Sequence, residues 1–143
     1  MVSEYRCSLY KKKIAKIPID HENKGNYYYI VSCENKLIDR YEIEAARILI
    51  SRELRKLKNK NKKLWVYVNY DFPFHKKSSH SRMGKGKGSI DSYKKFISIN
   101  SVIFRLDSST LNLVLNIYNI IQSKLSFRIS IYKDGKLIVG KRL

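Results

Sequence analysis

Apolar positions along this chain recur in two rhythms, and the changes between them mark its elements. Residues 27–32 (YYYIVS) form an unbroken run of aromatic and β-branched side chains, which predicts a short strand. From residue 39 the period lengthens. Ile43, Ala46, Ile50, Leu54 and Leu57 recur every three or four residues, the stripe of an amphipathic helix over about 40–59. Asp39, followed three residues later by Glu42, has the spacing of a capping box, and Ile38 and Ile43 are placed for a hydrophobic staple. Glu42 and Glu44 lie near the positive end of this helix and Lys56, Lys58 and Lys60 near its negative end, both favourable to its dipole.

Beyond it the period shortens to two. Over residues 64–70 (LWVYVNY), Leu64, Val66, Val68 and Tyr70 share one face and Trp65 and Tyr67 the other. Residues 93–99 and 102–106 read as strands around an Asn100-Ser101 turn. Ser108, Ser109 and Thr110 offer N-caps for a second helix to about residue 123. Its polar stripe is Asn112, Asn116, Asn119 and Ser123, with Leu111, Val114, Tyr118 and Ile121 opposite. Phe127, Ile129 and Ile131 alternate before Asp134-Gly135, a dipeptide suited to a type I′ hairpin turn. Strands interleaved with two amphipathic helices predict an α+β fold: a two-layer α/β sandwich, its sheet antiparallel or mixed, with a long basic loop. The expected organisation is a basic tail over residues 1–26 and a single domain over 27–143, carrying a basic Gly/Lys loop at 71–90.

Length agrees with that organisation, since 143 residues and 43% hydrophobic content suffice for one domain with a real core. Charge changes the picture. Thirty Lys and Arg against twelve Asp and Glu leave a net +18, an imbalance no core requires and one that costs self-repulsion unless an acidic partner offsets it. Nucleic acid is the first candidate and an anionic membrane surface the second. No apolar run approaches the ~18 residues needed to span a bilayer. The first residues, MVSEYRCSLYKKK, lack the apolar stretch of a secretory signal, and Glu4 is out of place in a transit peptide, so neither leader is expected. Cys7 and Cys33 stand apart with no CxxC pair, which argues against a zinc site or a disulfide framework. Ile, Lys, Asn, Tyr and Phe, the residues of AT-rich codons, make up 65 of the 143 residues, while Ala occurs three times and Pro twice. That bias points to an AT-rich genome such as an organelle's.

The segment DFPFHKKSSHSRMGKGKGSID carries the candidate chemistry. Between Asp71 and Asp91 it has no acid, yet it holds Lys76, Lys77, Arg82, Lys85 and Lys87 with His75 and His80. Three of the six glycines fall at 84, 86 and 88. Glycine lets backbone N–H groups approach a phosphate closely. Arg82 can fork onto a phosphate or stack on a base, and Met83 supplies an adaptable apolar contact. About twenty residues doubled back on themselves make an arm roughly 30 Å long, which reads as an arm that orders against RNA; a solvated linker is the alternative. Neither GxxxxGK[ST] nor GxGxxG is satisfied, because Ser89 stands where the first needs its second Gly and Gly88 follows Gly86 too soon for the second.

A second basic feature runs over residues 56–63. Lys56, Lys58, Lys60, Lys62 and Lys63, with Arg47, Arg52 and Arg55, place cations on the helix side away from the apolar stripe. They form either a solvated helix face or an RNA contact. Trp65, Tyr67 and Tyr27–Tyr29 can stack on bases, with strand packing the favoured reading for Trp65. His75 and His80 near Asp71 lack the second carboxylate that a nuclease or acid–base pair would use, so no catalytic residue, metal or cofactor is expected.

Ile43-Glu44-Ala45-Ala46-Arg47 and Arg82-Met83-Gly84-Lys85-Gly86-Lys87-Gly88 together resemble the signature segments of the large-subunit ribosomal protein L-sixteen family (universal name uL-sixteen). The order also fits: a capped helix, a Lys-rich end, a Trp-containing strand, Pro73 in the loop, then RMGKGKG. The resemblance runs from about Ile38 to Ile131, while residues 1–26 show none, Tyr28-Tyr29-Ile30 replaces glycines and Ile99-Asn100 replaces a Pro-Gly turn. It implies two helices on a sheet and a structural, non-enzymatic role. The expected partners are large-subunit rRNA near the peptidyl transferase region, A-site and P-site tRNA and neighbouring ribosomal proteins, with no membrane and no homo-oligomer. By the same resemblance Arg82, Met83, Gly84, Lys85, Gly86, Lys87 and Gly88 form the functional tip, Arg82 matches an arginine hydroxylated in some bacterial members, and Arg47 is an rRNA contact. Lys76, Lys77, Arg55, Lys62 and Lys63 complete the candidate RNA-binding set. With the codon bias, the drift suits a mitochondrial ribosome ahead of a plastid or bacterial one. The rival classes are a stand-alone nucleic-acid-binding protein or nuclease, and a peripheral membrane protein.

Overall fold

A computed structural model describes residues 27–56, 63–84, 86–107 and 110–140. The aromatic run becomes strand β1 (Tyr27–Ser32), followed by β2 (Lys36–Asp39) and helix α1 (Arg40–Lys56). Then come β3 (Leu64–Val66), β4 (Phe72–Lys76), β5 (Ser89–Ile97), β6 (Val102–Asp107), helix α2 (Leu111–Gln122), β7 (Ile129–Lys133) and β8 (Lys136–Val139). The fold is α+β, and every strand pairing is antiparallel.

The strands divide between two sheets where the sequence reading placed one. A five-stranded sheet runs β3-β6-β1-β7-β8 and a three-stranded sheet runs β2-β5-β4. β1 is central because both its faces are apolar. Tyr28 and Ile30 enter the main core, while Tyr29 and Val31 join Tyr132 on the other face. The division falls at residues 99–101. β5 and β6 flank the expected turn but do not pair, since β5 lies between β2 and β4 while β6 lies between β1 and β3. Asn100 makes the change of direction with φ of 64°, a left-handed conformation that asparagine tolerates better than most residues.

Both helices and both sheets contribute to one core. Ile43, Ala46, Ile50 and Leu54 of α1 are buried with Val114, Ile117 and Ile121 of α2, Ile38 of β2 and Ile97 of β5. Leu57 lies outside the described residues. On α2 the polar stripe is exposed as expected, but Leu111 is also exposed, and Ile117 is buried beside Val114 and Ile121. Thr110 takes the N-cap position without a side-chain bond to the helix, and Ser108 and Ser109 lie outside the described residues. At α1 the Asp39 carboxylate accepts the Tyr41 amide at 3.3 Å. The other half of the capping box is absent: Glu42 accepts the Ser126 amide and ties the helix start to the segment before β7. Asp134 and Gly135 both have positive φ, as a type I′ turn between β7 and β8 requires.

Two expectations for the middle of the chain need correcting. The strand over 64–70 ends at Val66, although the Tyr67 amide still donates to Ile103 at 2.9 Å. Leu64, Val68 and Tyr70 pack on the core while Val66 stays exposed. The basic loop is also shorter than 71–90. Phe72–Lys76 and Ser89–Ile97 pair as an antiparallel hairpin, which leaves residues 77–88 as the connection. Pro73 is accommodated because β4 is an edge strand, where one side of the backbone owes no ladder bond.

Candidate nucleic-acid interface

The hairpin is anchored at its root by an ion pair between Lys95 and Asp71 and by the bond from the Ser92 hydroxyl to Asp39 at 3.0 Å. Further out, Lys94 Nζ sits 3.9 Å above the Phe74 ring. At the neck of the loop the two legs come together. His75 Nδ1 lies 2.8 Å from the Gly88 carbonyl oxygen, so it carries the proton that this bond needs. A Cβ on Gly88 would fall 2.6 Å from the Lys76 carbonyl carbon, so no larger residue fits there without moving backbone. Ser81 closes the far side with its amide and hydroxyl both on the Ser78 carbonyl, at 3.1 and 3.0 Å.

This frame gathers most of the expected tip. Lys76, Lys77, Arg82, Gly86, Lys87 and Gly88 line one pocket of about 290 Å³, joined by Ser78, Ser81 and Ser89. None of the four cations is in an ion pair among the described residues. Gly84 and Gly86 have φ of 87° and 79°, the left-handed region that glycine enters without strain. Met83 is 99% exposed and does not line the pocket; Lys85 lies outside the described residues. Gly84 is exposed near the tip without lining it.

The helix set sits elsewhere. Arg47 and Arg55 are exposed on α1, and no pocket residue comes from that helix. Arg47 is engaged with Glu44: Nε reaches both carboxylate oxygens at 3.0 Å and Nη2 reaches Oε1 at 2.6 Å. That hydrogen bond holds the Glu44 carboxyl below its ordinary range, and Glu44 in turn raises the Arg47 guanidinium. Arg52 and Arg55 are in no ion pair among the described residues and are the freer cations of this side, whereas the charge of Arg40 also acts on Glu44. Lys63 is exposed just ahead of β3, its carbonyl accepting the Asp107 amide at 3.0 Å, and Lys62 lies outside the described residues.

Sequence reasoning missed the pocket hydroxyls and the neck bond of His75, because serine is common in any loop and nothing local tells which carbonyl a histidine meets. Arg105 was missed as well. Its guanidinium stacks 3.9 Å over Tyr27 and 4.9 Å over Trp65, which themselves meet edge to face at 5.9 Å. The favoured packing role for Trp65 accords with that arrangement. Asp71 is engaged by Lys95, and His75 by the Gly88 carbonyl. Cys33 is buried with Sγ 2.8 Å from the Ser130 hydroxyl, and Cys7 lies outside the described residues.

Fold and site together define a basic α+β domain bearing a cationic hairpin arm. Its sequence from residue 5 to residue 132 matches the family described as Ribosomal protein L16p/L10e. Among curated relatives, the large ribosomal subunit protein uL16 of Borreliella burgdorferi (strain ZS7) is 31% identical over 130 residues, covering 87% of this chain and 91% of the relative. That of Borrelia turicatae (strain 91E135) is 31% identical over 111 residues, covering 74% and 77%. The chain belongs to the ribosomal protein L16p/L10e family. The family makes it a structural, non-enzymatic protein of the large ribosomal subunit. That match begins at residue 5 and so takes in most of the stretch before β1.

Proposed function

We propose that this protein binds large-subunit rRNA through the hairpin arm and the exposed cationic side of α1. In this reading the arm lies near the peptidyl transferase region, its tip reaches toward A-site and P-site tRNA, and the domain supports subunit assembly and contacts neighbouring ribosomal proteins. One observation carries it: Lys76, Lys77, Arg82 and Lys87 converge on a loop whose lining has no carboxylate. Cations gathered without acids gain most from a polyanion, and each phosphate they neutralise releases counterions. Contacts to folded rRNA run through backbone, ribose and shape, which suits lysines and glycines better than a base-reading helix would.

Ribosomes are the location the family implies. The AT-biased composition is what supports a mitochondrial ribosome, while the relatives named above are bacterial and lend it no preference over a bacterial one. A sucrose gradient of cell and organelle lysates at moderate salt, with the protein located by mass spectrometry, tests both points. Co-migration with the large subunit, abolished by RNase, is the expected result. Recovery at the top of the gradient, free of RNA, would refute it and favour a stand-alone nucleic-acid-binding protein.

Replacing Lys85 and Lys87 together by Ala is expected to leave the circular dichroism spectrum and thermal midpoint unchanged, because both lie in the loop connecting β4 and β5 rather than in the core. RNA affinity should fall, and the slope of log K against log salt should become shallower by roughly 0.7–0.9 for each phosphate no longer neutralised. An unfolded double variant would contradict this placement.

A further inference from the structure

We infer that the face of the five-stranded sheet turned away from the main core is a docking surface, and that its occupant is the chain's own segment ahead of β1, residues 5–26. The strand registers carry one row of residues across the whole sheet. Trp65 of β3 stands opposite Arg105 of β6, Arg105 opposite Tyr29 of β1, Tyr29 opposite Tyr132 of β7, and Tyr132 opposite Leu137 of β8. Val31 and Val102 form a second pair on this face. Both helices and the three-stranded sheet contribute to the opposite face, with Tyr28 and Ile30.

An antiparallel sheet with one face in water is polar on that face. Here the outer face is neither polar nor open. Tyr29, Val31 and Tyr132 are 5%, 1% and 7% exposed, yet the apolar residues packed around them, Tyr27, Val102 and Leu137, all belong to the same sheet. Neighbours within a sheet shield the flanks of a strand side chain but not its outer end, so burial this deep requires a further layer. Of the longer stretches outside the described residues, 57–62 (LKNKNK) holds one apolar side chain and 141–143 (KRL) is too short to cover the face. Residues 5–26 hold Tyr5, Leu9, Tyr10, Ile14, Ile17 and Ile19. The polar stretch that follows includes Asn23, Gly25 and Asn26, residues suited to reversing the chain just before β1 and returning the isoleucines over it. Asp20 and Glu22 supply charge complementary to Arg105 in the row.

This docking needs no RNA, so the test uses the full-length protein alone. Leu137, half-buried at the rim of the face, is replaced by the photo-crosslinking residue p-benzoylphenylalanine, and a mixture of isotope-labelled and unlabelled chains is irradiated. The expected product is a crosslink to a peptide from residues 5–26 of the same chain, with a yield that does not change on dilution. The same photo-crosslinker at Ile48, which is exposed on α1, should give no such product. Crosslinks between labelled and unlabelled chains would put a second copy on the face and overturn the assignment. Attachment to residues 57–62 or 141–143, or to no segment at all, would overturn it equally. Trp65, the only tryptophan and a member of the row, gives a second readout. Replacing Ile14, Ile17 and Ile19 together by Ser should raise acrylamide quenching of its fluorescence at least twofold, whereas Ile48→Ser should not. Unchanged quenching in a folded triple variant would show that these isoleucines do not cover the face. Should the triple variant fail to fold, the crosslink from Leu137 decides.

Discussion

Ile50→Asp is expected to abolish folding. Ile50 is 1% exposed on the inner stripe of α1, in the one cluster that joins both helices to both sheets. The substitution removes about 1.5–3 kcal/mol of apolar burial. It also strands a carboxylate among side chains that offer no partner, a further cost of several kcal/mol. Against a total stability of about 5–15 kcal/mol for a domain, the two together consume most or all of the margin. The variant should be recovered from inclusion bodies, or should show no cooperative melt by circular dichroism. Ile50→Val, which keeps the site apolar, should cost only about 0.5–1.5 kcal/mol. A soluble Ile50→Asp protein with an undiminished melting temperature would mean that α1 presents a different face to the sheets.

Gly88→Ala should act locally and still impair RNA association severely. Its Cβ would meet the Lys76 carbonyl group and, at 2.8 Å, the Lys77 nitrogen. All of these are backbone atoms, which cannot swing aside as a flexible side chain can. Relief requires the legs of the hairpin to part, at a local cost of about 1–3 kcal/mol. Parting them breaks the bond from His75 to the Gly88 carbonyl and the last ladder pair at Lys76 and Ser89. Because neither residue belongs to the core, the protein should still fold cooperatively, with its global stability lowered by no more than that local cost of about 1–3 kcal/mol. Hydrogen exchange should nonetheless rise at residues 75–77 and 87–89, and RNA affinity should fall about tenfold or more as the cations lose their common frame. Unchanged exchange at the neck would show that the loop accommodates a methyl group there, and that the neck does not require glycine.

The two variants separate what was legible in the sequence from what was not. The stripe of α1 and the aromatic run of β1 are local patterns. Each reports which side of an element seeks an apolar environment, and each element formed where its pattern lay. The Asp134-Gly135 turn was legible for the same reason, since its geometry depends on two adjacent residues. Glu42 shows where such reasoning stops. Its spacing from Asp39 invited a capping box, yet its carboxylate found the Ser126 amide, a donor more than eighty residues away that no local pattern ranks against the near one. Residues 72–76 fail in a similar way. Sequence alone places them in a loop over 71–90, and it is their pairing with β5 that makes the segment a strand.

At the candidate site the same boundary holds. Sequence by itself determined the charge, the acid-free interval between Asp71 and Asp91, the glycines and the two family segments, because these are properties of composition and order. Tertiary structure alone decided that the strands split into two sheets at Asn100, that Glu42 turns to the Ser126 amide, and that four cations and three serines line one pocket. The physical reason is common to all three. Periodicity and charge state what each residue requires of its surroundings, whereas the choice among the partners able to meet that requirement is made between segments far apart in the chain, when the core closes and the hairpin folds back on itself.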